Sequence, residues 1–132
     1  MRRTPALATC WFAVQAALVA AWWTWLWLLP SAREPFGYAG WPNVLLAFAP
    51  PDLLMLVGLG AATAVARTRR HAASTACGWL TAGASLYATV WCLGALFVTG
   101  GGLLATVLML GHAALTTWAA LQPSGEVDPR RR

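Results

Sequence analysis

The chain has 132 residues, of which 59% are hydrophobic and 10% charged, whereas roughly a quarter of an ordinary soluble domain is charged. That deficit excludes a soluble domain, and the length allows one small membrane bundle rather than two domains. The net charge of +5 rests on nine basic residues, all Arg, which stand at the ends of apolar runs and therefore read as topology and lipid-headgroup contacts, with no nucleic acid partner.

No charged residue falls between Thr4 and Ala32, between Leu53 and Ala66, or between Ala72 and Gly125. Apolar runs of this length mark spanning helices, because a helix satisfies its own backbone inside the hydrocarbon. The first helix is predicted over residues 7–29. Arg2 and Arg3 precede it as a secretory signal would require, but the run is about twice an ordinary signal core and reads as a retained helix. Pro30 ends it. Trp22, Trp23, Trp25 and Trp27 crowd that end and are assigned, with Trp41 in the following loop, to anchoring at the far membrane interface. Gln15, polar in mid-helix, is expected to hydrogen-bond to a neighbouring helix.

The connection over residues 31–43 is rich in proline and glycine and reads as irregular surface backbone. For the second helix the sequence leaves two geometries. Either residues 44–49 form a separate interfacial or re-entrant piece and Pro51 opens a spanning helix over 51–66, or one longer helix is broken at Pro50 and Pro51. The first is favoured, since proline suits a first helical position and Asp52 then falls in the positive first turn. Gly58, Ala62 and Ala66 make a small-residue stripe that allows close helix contact, including with a second copy or a membrane partner.

Arg67, Arg69 and Arg70 form a basic turn, read as a point fixed in water between two membrane-embedded halves. A third helix is predicted over 73–98, with Ala84, Ala88 and Cys92 as a second small-residue stripe and Thr81, Ser85 and Thr89 as a hydroxyl stripe beside it, both read as packing devices. Thr99 to Gly102 is too short to recross a membrane and must join antiparallel helices. The fourth helix is predicted over 103–121. Residues 1–122 thus form an all-α, four-helix transmembrane bundle, and residues 123–132 a basic cytoplasmic tail expected to be disordered. Eight arginines fall on one side against Arg33 alone on the other, which puts both termini in the cytoplasm of a bacterial inner membrane.

An ionisable side chain inside a membrane is a functional hypothesis by default. Asp52 and His112 are the candidates, with Gln15 as a polar neighbour. For Asp52 the competing role is helix-start capping; for His112 it is a plain hydrogen bond to Gln15 or Ser85. The two are expected to differ in depth by a helix turn or two. One Asp and one His do not supply the paired carboxylate, Ser-His arrangement or metal cluster of an intramembrane hydrolase. Cys77 and Cys92 are about 22 Å apart along one helix, too far for a disulfide. No catalytic residue, metal site or cofactor is assigned.

Four stretches carry a resemblance: residues 33–36 (Arg-Glu-Pro-Phe), 49–54 (Ala-Pro-Pro-Asp-Leu-Leu), 82–88 and 101–109. They resemble a family of bacterial four-helix membrane regions, some of which precede a methyltransferase domain of the isoprenylcysteine type. The resemblance implies the four-helix architecture. It implies no methyl transfer, as the sequence has no glycine-rich or acidic pocket for a methyl donor. The expected function is an accessory, partner-binding or lipid-interacting membrane component without catalysis, its partners being membrane lipid, a second copy or another membrane protein. The alternative is a small transporter or lipid-modifying enzyme using Asp52 and His112.

Overall fold

The computed structural model describes residues 3–37 and 43–124. Trp41 and the tail over 125–132, for which the sequence predicts anchoring and disorder, lie outside the described residues. Among the described residues there is no strand. Four helices are long and apolar enough to cross a membrane: α1 (Arg3–Leu28), α2 (Val44–Thr68), α3 (Ser74–Thr99) and α4 (Leu103–Leu121).

In α1, alanine, leucine and tryptophan surround the whole helix, as expected where one side meets lipid and the other meets helices. Its inward line is Ala8, Phe12, Gln15, Trp23 and Leu26, all buried, at steps of three, four and eight residues that keep one helical face. Beyond Leu28, a 3-10 segment over Pro30–Phe36 folds back on the helix end. Arg33 Nε donates to the Leu26 carbonyl at 2.7 Å, placing a cation where the helix dipole is negative. Phe36 is buried edge-on against Trp22, with ring centroids 4.3 Å apart. Of the four tryptophans at this end, only Trp25 and Trp27 are largely exposed. Trp23 is a core side chain, so its assignment to anchoring is corrected; its indole N–H has a partner inside the protein that an interfacial ring would find in headgroups.

The second span is the longer of the two geometries and starts at Val44, not Pro51. Pro50 and Pro51 have no N–H to offer the preceding turn. The chain therefore breaks at Phe48 and restarts with a short turn over Ala49–Asp52, in which Asp52 N–H donates to the Phe48 carbonyl at 3.0 Å. A π-helical stretch over Leu53–Gly58 follows, and an ordinary α-helix completes the span over Leu59–Thr68. The residues that α2 turns inward are Gly60, Thr63, Ala64 and Arg67. Gly58 and Ala62 are exposed and Ala66 is half-buried, so most of the small-residue stripe lies outside the contacts within the bundle. Hydroxyl and guanidinium groups cost more against lipid than alanine does, and Thr63 and Arg67 therefore set the inward face.

Arg67 also corrects the reading of the basic turn. Arg69 and Arg70 are exposed, but Arg67 is only 5% exposed. Its guanidinium lies over the Phe12 ring, 5.2 Å from the centroid, and Nη2 donates to the Gln122 carbonyl at 3.1 Å. A side chain from the last turn of α2 thus ties that helix to α1 and to the end of α4.

The turn joining α3 to α4 is made by glycine. Gly100 and Gly102 adopt φ of +68° and +79°, a region that L side chains avoid. The hydroxyl stripe of α3 is buried as expected. Thr89 Oγ1 donates to the Met109 carbonyl at 3.0 Å, Thr106 Oγ1 donates to the Cys92 carbonyl at 3.2 Å, and Thr63 and Thr81 share a hydroxyl contact of 3.2 Å. Short polar links of this kind substitute for the hydrophobic drive that helices lack inside lipid.

A candidate amphiphile cleft

Between the helices lies a cleft of about 580 Å³, within the roughly 300–1,000 Å³ usual for small-molecule sites. α1 contributes Trp11, Leu18, Val19, Trp22 and Trp23; α2 contributes Leu45, Phe48, Asp52 and Leu56; Ala88 and Cys92 come from α3, and residues from Ala105 to His112 from α4. The walls are almost wholly apolar. Leu18, Val107 and Leu108, in the middle of α1 and α4, are 59%, 55% and 49% exposed, so the outer surface of these two helices borders the cleft.

Asp52 is one of its two ionisable residues. It makes no capping hydrogen bond. Instead its Oδ2 accepts the Trp23 indole N–H at 3.2 Å. The break at Phe48 and the following turn place Phe48, Asp52 and Leu56 at spacing four, one above another on a single face, with Trp23 of α1 opposite.

His112, the other ionisable group, bonds neither to Gln15 nor to Ser85. Gln15 Oε1 accepts the Thr116 hydroxyl at 2.7 Å, and Thr116 in turn accepts the Trp11 indole N–H at 3.1 Å. Ser85 donates to the Thr81 carbonyl within α3. The imidazole lies beside Trp11, with centroids 6.1 Å apart, and its two nitrogens are buried without a partner among the described residues. The partners of Asp52 and His112 on α1, Trp23 and Trp11, are separated by about 18 Å of helix rise. No hydrogen bond or ion pair joins Asp52 to His112 among the described residues. The structure thus brings both to one cleft, at its two ends.

Gln15 belongs to the support of the cleft rather than to its wall. Thr116→Val should remove both hydrogen bonds of the Trp11–Thr116–Gln15 chain and lower bundle stability by about 1 kcal/mol, while Thr116→Ser should not. Unfolding in mixed detergent micelles reads the difference.

Trp23 and Phe48 are the wall residues that sequence reasoning missed. Trp23 and Asp52 are 29 residues apart, and nothing local links them. One signal was present, since stepping from Gln15 by two helical turns reaches Trp23 on the same inward face. Comparison with protein-family models, with curated proteins and with solved structures yields no match, so a reading of the cleft rests on its own chemistry.

Proposed function

We propose that the protein is a non-catalytic, lipid-interacting component of a bacterial inner membrane that holds one amphiphile in this cleft. Both termini then lie in the cytoplasm, as the arginine distribution asks. The observation that carries the reading is an apolar cleft bordered by exposed mid-helix residues of α1 and α4. An apolar molecule reaches such a cleft from the bilayer without crossing water, and its apolar part meets Trp22, Leu56 and Val19 in place of acyl chains. The single carboxyl group on the wall gives the occupant an orientation, as a few polar groups do in apolar sites.

Native mass spectrometry on protein extracted directly into lipid discs tests this. One class of amphiphile should be retained at a one-to-one ratio and lost when Ala105→Phe fills the cleft. Bare protein, or mixed lipid unaffected by Ala105→Phe, would overturn the reading; a protein retained at fixed ratio would favour an accessory subunit.

A small transporter or lipid-modifying enzyme is the second reading, favoured by Asp52 and His112 lining the same cleft. It requires flux or turnover that Asp52→Asn abolishes while the retained amphiphile stays bound.

A further inference from the structure

The cleft carries a carboxyl group with no counter-charge among the described residues. Among the described residues no Arg or His side chain forms an ion pair with Asp52; its side-chain partner is the neutral indole of Trp23. Arg33 is spent on the carbonyls at the end of α1, and Arg67 lies at the other end of the bundle over Phe12. A carboxylate among apolar walls is costly unless a cation faces it or a proton neutralises it. Three aromatic residues line the same cleft: Trp23 donates its N–H to Asp52, Trp22 precedes Trp23 on α1, and Phe48 stands one turn before Asp52 on α2 with its ring against Trp91. Aromatic residues lining a cleft that holds a carboxyl group suit an ammonium group, because the ring quadrupole attracts cations.

From this juxtaposition we infer that the occupant is a lipophilic monocation, an ammonium group on an apolar body, with the nitrogen on Asp52 and the body running along the cleft toward Trp11 and His112. This deepens the proposed function and rests on it. A phosphate ester next to the ammonium is disfavoured, since the phosphate would bring a second negative charge to Asp52 with no Arg within the cleft to receive it. An amine-bearing lipid of the bilayer and a free lipophilic amine share the required chemistry.

The test uses the full chain in phosphatidylcholine discs and two probes of equal tail, dodecylamine and dodecanol. Binding is read from tryptophan fluorescence, corrected with empty discs, and from native mass spectrometry for stoichiometry. Dodecylamine should bind one-to-one and at least about tenfold more tightly than dodecanol. Asp52→Asn should bring the amine down to the level of the alcohol, and Asp52→Glu should keep the preference. Equal affinity of the two probes for the unmodified protein overturns the inference, and so does a preference that survives in Asp52→Asn. The comparison within the unmodified protein decides the matter even if Asp52→Asn does not fold. Saturable dodecanol binding that Ala105→Phe removes, with no preference for the amine, would leave the cleft reading standing and sink the cation. Failure of both probes to saturate, with no amphiphile retained on extraction, would sink both. An amine lipid co-extracted with the protein and displaced by dodecylamine assigns the source to the bilayer; a cleft that fills only on addition assigns it to free amines.

Discussion

Arg67→Met should lower the unfolding free energy by about 2–3 kcal/mol, the range expected for losing hydrogen bonds to a charged group together with its packing on an aromatic ring. The side chain is nearly fully buried, stacked over Phe12 and bonded to the Gln122 carbonyl. Methionine fills a similar volume but supplies neither the charge nor the donors, and it leaves the Gln122 carbonyl without this bond. Arg69→Met and Arg70→Met should change stability by no more than about 0.5 kcal/mol, as exposed surface substitutions do. Unfolding in mixed micelles, followed by far-ultraviolet circular dichroism, compares the three. If Arg67 behaved like its two neighbours, the inward packing of the basic turn would be wrong. Arg67→Lys separates the roles of charge and fork: lysine keeps the charge but not the planar guanidinium, and should recover only part of the loss.

Gly60→Leu should cost about 3 kcal/mol or more, at the upper end of what overpacking does. At Gly60, α2 packs directly on α1. A Cβ there would stand 2.9 Å from Gln15 Nε2 and 3.4 Å from the Phe12 carbonyl oxygen. The amide can shift, but the carbonyl belongs to the α1 backbone and cannot move without moving the helix. Gly60→Ala should therefore cost about 1 kcal/mol, and leucine should drive the helices apart. Gly83→Leu and Gly94→Leu serve as controls, because a Cβ at either position meets nothing within 4 Å. Both should fold normally. Equal damage at all three positions would mean that helix length or insertion, not the α1–α2 contact, was being measured. Separation of α1 from α2 should also weaken amphiphile retention, since Trp23 and Asp52 meet across that same pair of helices.

The number of spans and three of their four approximate boundaries were legible in the chain. An apolar run is a one-dimensional property, and a bilayer reads it almost directly, so Pro30, Gly100 and Pro123 mark helix ends with little help from neighbours. The start of α2 was not legible. Pro50 and Pro51 can either open a helix or break one, and the choice depends on whether residues 44–47 find a surface to pack on. They find one in the cluster of Trp23, Leu26, Phe36, Leu45 and Ala49, which includes residues from α1 and from the segment after it. The facing of α2 was not legible for a related reason: small residues permit contact without compelling it, whereas Thr63 and Arg67 must be taken out of lipid.

By itself, then, the sequence determined a class, a count of helices and the polar residues that had to be accounted for. Tertiary structure alone decided what each polar residue does. Gln15 accepts the hydroxyl of Thr116, 101 residues away; Arg67 reaches a carbonyl 55 residues away; Asp52 takes a tryptophan that composition had assigned to the membrane surface. The physical reason is that a helix closes its backbone hydrogen bonds within itself but leaves its side chains open. Which side chain answers which is set by the rotation of each helix about its axis, and that rotation exists only once the four are packed.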